Sequence, residues 1–191
     1  APINKWDKQL GTAWRPKNSP ATYDGPLRVR RGLAQSKNVM AVRLMRTLGT
    51  EPTVDYLTRF GFDKSELPAN ESLSLGSASL SPLSLITGMS AFANGGYLVQ
   101  ANIINQVLDV SGQVIYEPVK FTVIETEGVD SELEGIEMAE NQMPAPRIIS
   151  EENAYLIAEA MNSTIKGGGN WSKGTGWNGT AWRAQRLKRR D

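Results

Sequence analysis

Between Arg30 and Gly49 the apolar positions are broken by one polar step, Ser36-Lys37-Asn38. After the step Ala41, Leu44, Met45 and Leu48 recur at i, i+3, i+4 and i+7, which predicts a helix that buries this face and that Gly49 ends. Before it, Leu27, Arg28 and Arg31 to Gln35 predict a short helix. Ser36 and Asn38 are thereby expected on a tight turn between two helices, with a hydroxyl and a carboxamide that can each donate and accept hydrogen bonds.

Elsewhere the pattern is more ordinary. Ala1 to Gly25 has little periodicity and reads as an irregular segment anchored by Trp6, Trp14 and Tyr23. Thr50-Glu51-Pro52 starts a short amphipathic helix carrying Val54, Leu57 and Phe60, which Gly61 stops. Leu73 to Ser79 alternates briefly and reads as extended. Ser81-Pro82 is a strong helix start, with Leu85, Ile86, Met89, Phe92 and Ala93 on one face of a helix expected to be largely buried. Ile103 to Val110 and Gln113 to Tyr116 are rich in β-branched residues and read as a hairpin turning at Ser111-Gly112. Ser150-Glu-Glu-Asn caps a last helix, with Ala154, Ile157, Ala160 and Met161 facing inward.

The chain has 191 residues, of which 40% are hydrophobic and 21% charged, enough for one domain with a real core. Lys and Arg number 21 against 20 Asp and Glu, so the net charge of +1 points to no polyanionic partner. The basic run from Arg183 to Asp191 lacks the aromatic or recognition-helix pattern of nucleic-acid binding, and no nucleic acid is expected as a partner. No apolar run reaches membrane-spanning length and the first residues lack the features of a signal peptide. Residues 125–146 hold an acidic insertion that reads as a solvated loop, since its oxygen ligands lack the spacing of an EF-hand calcium site. Residues 166–179 form a loop rich in glycine that carries Trp171 and Trp177.

There is no cysteine and no histidine. Ser-His-Asp and Cys-His nucleophile pairs are therefore impossible within the chain, as are imidazole-ligated zinc sites. Acid-base work must run through Lys, Asp, Glu, Tyr or a hydroxyl. Ser36 and Asn38 are the candidates, although a Ser-x-Asn before a helix is by itself more often an N-cap than a catalyst. Ser163-Thr-Ile-Lys166 and Lys173-Gly-Thr-Gly match other short catalytic patterns only superficially: the first lies at a helix end, where a nucleophile lacks a helix N-terminus, and the second lies in a loop.

The run Leu33-Ala-Gln-Ser-Lys-Asn-Val closely resembles the Ser-x-Asn element of penicillin-binding proteins, and Tyr23-Asp-Gly-Pro resembles the approach to it. Leu73-Ser-Leu-Gly-Ser-Ala-Ser-Leu-Ser-Pro through Asn94-Gly-Gly-Tyr97 resembles the long helix of the class A members. Arg147-Ile-Ile-Ser-Glu-Glu-Asn-Ala-Tyr-Leu-Ile is similar to the helix after their variable region. Gly179-Thr-Ala-Trp-Arg-Ala-Gln-Arg-Leu-Lys-Arg-Arg-Asp191 resembles the approach to their third motif, most closely in the 1A type of Gram-negative bacteria. Separate matches in the right order are far more specific than one tripeptide.

That resemblance implies an α/β fold of the β-lactamase and transpeptidase kind, an antiparallel sheet flanked by helices, present only in part. It implies that residues 1–191 are an internal part of one D,D-transpeptidase domain, with the Ser-x-x-Lys nucleophile before Ala1 and the Lys-Thr/Ser-Gly strand after Asp191. The implied partners are the peptidoglycan stem peptide ending in D-Ala-D-Ala, β-lactams and the remainder of the domain. The full-length protein would be anchored on the periplasmic side of the bacterial inner membrane, with a glycosyltransferase domain. No cofactor and no metal is implied. Ser36 would relay a proton between lysines toward the leaving amine, and Asn38 would hold the catalytic lysine through its carbonyl oxygen and the substrate amide through its NH2 group. Lys37 would be structural or face solvent. A non-catalytic cell-wall or protein binding module using Trp171, Trp177 and the acidic loop is the alternative from a different class, and a serine β-lactamase shares the Ser-x-Asn element.

Overall fold

Helices form where the chain supplies an apolar stripe together with a start signal, and strands remain short. The computed structural model describes residues 2–7, 11–124 and 139–166. In order the elements are β1 (Lys5–Asp7), β2 (Thr12–Trp14), α1 (Val29–Ala34), α2 (Asn38–Leu48), α3 (Thr50–Thr58), α4 (Pro82–Ala93), β3 (Val107–Leu108), β4 (Val114–Tyr116), β5 (Lys120–Thr122), β6 (Gln142–Pro144) and α5 (Glu151–Lys166). Short 3₁₀ turns occupy Lys64–Glu66 and Glu71–Leu75. Strands β1 and β2 pair antiparallel, as do β3 and β4, whereas β5 and β6 pair in parallel. Among the described residues no sheet is wider than two strands, so the α/β architecture is present with its sheet represented only in part. Among the same residues no helix is long and apolar enough to cross a membrane.

The chain divides into two compact units. Among the described residues the first takes those up to Thr58, Asp63–Ser79 and 156–166. Its core is Ile3, Val39 and Val42, with Trp14 packed against them. Val54 of α3 is also buried, as the helix pattern predicts. The second unit takes Arg59–Phe62 and Leu80–Tyr155. Its core is Phe60, Ala91, Ile148, Ile149 and Ala154, edged by Phe62, Phe92 and Leu98. Gly96, at a φ of 101°, is its tightest point: the Gly96 carbonyl accepts from the amide of Ile148 at 2.8 Å, and a Cβ added there would lie 2.1 Å from the Ile149 carbonyl oxygen.

Several sequence expectations are corrected. The N-terminal segment is not wholly irregular, because β1 and β2 form a hairpin. It is held by Ile3 and Trp14, while Trp6 and Tyr23 are exposed. On α2 the covered stripe is Val39, Val42 and Met45, and Leu44 and Leu48 are exposed. The cause is tertiary: Ile3 and Trp14 pack against the valine side. Leu73 to Leu75 are not extended. The Asn70 side chain accepts from the amide of Ser72 at 3.0 Å and from its hydroxyl at 2.6 Å, and these local bonds close a 3₁₀ turn that Gly76 ends at a φ of 85°.

Helix α4 begins where expected, with Ser81 Oγ accepting from the Ser84 amide at 3.0 Å and Pro82 at its first position. Its buried residues are the small Gly88 and Ala91, and Leu85 and Ile86 are exposed, so it is not largely buried. Phe62 explains the choice: a Cβ on Gly88 would lie 2.6 Å from its ring. Phe60 lies past the end of α3, in the second core. The 103–116 hairpin exists as β3 and β4, shorter than the apolar runs, with Asp109 Oδ1 accepting from the Ser111 and Gln113 amides to form its turn. In α5 Ala154 is buried, but Ile157 is exposed.

Candidate active site

Helix α1 ends in a Schellman motif. The Ser36 amide donates to the Leu33 carbonyl at 3.0 Å, and the Lys37 amide donates to the Gly32 carbonyl at 2.9 Å. The residue between these bonds must turn left-handed, and Ser36 does so at a φ of 52°. Glycine or asparagine ordinarily fills such a position, since a Cβ is unfavourable there. Among the described residues Ser36 is the one non-glycine with positive φ. The polar step seen in the sequence is thus a strained helix-to-helix junction.

The next helix starts at Asn38, and its N-terminal cap comes from far back in the chain. Asn18 Oδ1 accepts from the Val39 amide at 3.1 Å. Capping by the tripeptide itself is therefore not what these residues do: no Ser36 or Asn38 side chain caps α2. Asn38 is half-buried and donates one N–H to the Lys17 carbonyl at 2.8 Å. The Ser36 hydroxyl is exposed and has no hydrogen-bond partner among the described residues.

Lys37 points into the protein surface. Its ammonium pairs with Asp24 at 2.8 Å and donates to Thr22 Oγ1 at 3.4 Å, leaving the side chain only 10% exposed. The hydrogen bond from Lys37, then its positive charge, hold the Asp24 carboxyl below the ordinary aspartate range, with a smaller contribution from Arg31. Of the two roles expected for Lys37, structural or solvent-facing, the geometry has the structural one. Sequence reading missed Lys17, Asn18, Thr22 and Asp24 as supports; Asn18 and Asp24 have turn-forming side chains, but nothing local names their partners.

Ser163 is used differently. It sits near the C-terminal end of α5, donates to the Glu159 carbonyl at 3.2 Å and accepts from Arg30 Nε at 2.5 Å. A hydroxyl occupied in this way is not poised as a nucleophile. The Lys173-Gly-Thr-Gly run, Trp171, Trp177, the basic run 183–191 and most of the acidic insertion lie outside the described residues. Among the described residues no group of three or more acidic side chains is arranged to hold a metal ion.

Residues 2–184 match the penicillin binding protein transpeptidase domain. The chain belongs to this family. Penicillin-binding protein 1A of Vibrio cholerae is 52% identical over 192 residues, taking in all of this chain and 23% of that protein. Penicillin-binding protein 1A of Escherichia coli is 37% identical, over all of this chain and 26% of its own length. The crystal structure of penicillin-binding protein 1A from Haemophilus influenzae aligns with a TM-score of 0.72 at 37% identity, covering 96% of this chain and 28% of that one. Penicillin-binding protein A of M. tuberculosis, solved as an imipenem acyl-enzyme complex, is 16% identical with a TM-score of 0.59, a likeness of fold alone. The chain spans about a quarter of the length of these curated relatives. Within this part of a penicillin-binding transpeptidase domain, the turn at residues 36–38 offers the Ser36 hydroxyl and the part of the Asn38 carboxamide not taken up by its bond to Lys17.

Proposed function

We propose that this chain supplies the Ser-x-Asn element of a peptidoglycan D,D-transpeptidase that cross-links stem peptides through a serine acyl-enzyme and is acylated by β-lactams. The attacking serine and its lysine come from outside this span. Ser36 passes a proton toward the leaving D-alanine amine as the acyl bond forms, a task for a group that donates and accepts at once. Asn38 keeps one N–H on Lys17 and has a second N–H for the substrate amide, with its Oδ1 for the catalytic lysine. The stem peptide ending in D-Ala-D-Ala is the donor substrate. The whole protein acts on the periplasmic side of the inner membrane, anchored there and joined to a glycosyltransferase domain.

The observation that carries this reading is the division of labour at the turn. Asn18 caps α2, and Ser36 holds a left-handed conformation that glycine would hold at less cost. Labelling of the whole protein with a fluorescent penicillin tests it. Asn38→Ala is expected to slow acylation by about 10²- to 10³-fold with the fold retained. The 191-residue chain alone is expected to stay unlabelled. Unchanged acylation in Asn38→Ala would favour a binding module, rapid nitrocefin turnover a β-lactamase, and labelling at Ser163 would overturn the assignment of the nucleophile.

A further inference from the structure

Three consecutive residues after Ser36 are each tied to one short stretch of chain. Lys37 pairs with Asp24 at 2.8 Å and meets Thr22 at 3.4 Å. Asn38 donates to the Lys17 carbonyl at 2.8 Å. The Val39 amide donates to Asn18 Oδ1 at 3.1 Å. The stretch also braces itself: Asn18 Nδ2 donates to the Thr22 carbonyl at 2.8 Å, and the Thr22 amide donates to the Pro20 carbonyl at 2.7 Å. Residues 17–24 therefore form a strap across the start of α2.

A strained residue persists only where its surroundings over-determine it. Two backbone bonds fix Ser36 from the α1 side, and the strap fixes the residues that follow it. Of the strap's ties, the Lys37–Asp24 pair is the one that depends on charge. The Lys37 side chain is mostly covered while that of Asp24 is 48% exposed, so the carboxylate can be altered without opening a core. We propose that Asp24 is a positioning residue for acyl transfer: by holding Lys37 it sets the backbone at Ser36, and so the place of the Ser36 hydroxyl. This rests on the reading of Ser36 and Asn38 given above.

The test uses the whole protein and a penicillin, with the acylation rate constant k2 measured separately from the dissociation constant of the complex that precedes it. Asp24→Asn is expected to lower k2 by about 10- to 100-fold, as small misplacements of reacting groups do. The dissociation constant is expected to change by less than about threefold, because the loss falls on the transition state. Lys37→Met is expected to match it, the double variant to be no worse than either single one, and Asp24→Glu to keep most of k2.

A k2 for Asp24→Asn within about twofold of the parent would overturn the proposal, as would losses in Asp24→Asn and Lys37→Met that multiply. Ser36→Ala separates the two levels. If it abolishes acylation while Asp24→Asn does not slow it, the strap fails alone; if Ser36→Ala acylates normally, the reading beneath it fails and the strap with it. Should Asp24→Asn lower the thermal midpoint, the exchanged pair Asp24→Lys with Lys37→Asp decides: recovered k2 supports the proposal, and unrecovered k2 overturns it.

Discussion

At Ser36, Asn18 and Gly96 a single residue decides what the backbone can do. Ser36 holds its φ of 52° between two Schellman hydrogen bonds, at a cost of the order of 1 kcal/mol for a side chain with a Cβ. Asn18 satisfies the Val39 amide, so Asn18→Ala is expected to destabilise the chain by about 1 kcal/mol, read from thermal unfolding, with a larger relative loss of protection at Val39 in hydrogen exchange. Gly96 allows two strands of chain to meet, and Gly96→Ala sets a Cβ 2.1 Å from the Ile149 carbonyl oxygen at a left-handed φ. Backbone cannot yield there cheaply, and a loss of about 3 kcal/mol or more is expected in a denaturant melt. Ser36 and Asn38 were legible as polar residues at a helix junction because their spacing against the apolar pattern is local. The left-handed backbone was not legible, because serine is an ordinary residue in most turns and the Schellman bonds reach back to Gly32 and Leu33.

Among the elements, α2 is held at both ends by groups remote in sequence. Its N-terminus meets the strap, and Arg46 in its last turn pairs with Glu71 of the 3₁₀ turn at 2.8 Å. The Glu71 carboxylate also takes Lys5 of β1 at 2.8 Å, so one half-buried acid joins three elements of the first unit. Burial alone would push Glu71 up, but the hydrogen bonds from Arg46 and Lys5 and their charges outweigh it and hold the carboxyl below the ordinary glutamate range. A lowered folded-state pKa means that the stabilisation is fully present above the unfolded value and is lost as pH falls through the folded one. The stability difference between the parent and Glu71→Gln is therefore expected to be about 1–3 kcal/mol near neutrality and to shrink steadily on acidification below the usual glutamate range, measured by urea melts at stepped pH. A constant difference would remove the ion pairs as its cause. None of these ties was visible in the sequence. The helix starts at Ser81-Pro82 and Ser150 were, because capping is decided within four residues.

For the whole molecule, the order of separated motifs identified the family where the composition could only exclude histidine and cysteine chemistry. Which faces are covered was less legible. Leu44 and Leu48 on α2, and separately Leu85 and Ile86 on α4, belong to amphipathic patterns that the described residues leave exposed. Periodicity tells that a face is apolar, whereas its cover is chosen by tertiary partners such as Ile3, Trp14 and Phe62. The 191-residue chain alone, about a quarter of the length of its curated relatives, is accordingly expected to bind an apolar fluorescent dye and to associate in solution, and the whole protein to do so far less. Function at this scale turns on whether serine at the helix junction is kept for chemistry. Ser36→Gly in the whole protein separates fold from chemistry, since relief of the left-handed strain and the added freedom of the unfolded chain oppose each other and leave stability within about 1 kcal/mol of the parent. The deciding measurement is the rate of acylation by a fluorescent penicillin in that variant, alongside its thermal midpoint. A loss of about 10²-fold or more at an unchanged midpoint is expected if the Ser36 hydroxyl moves the proton. Acylation at the parent's rate would contradict it.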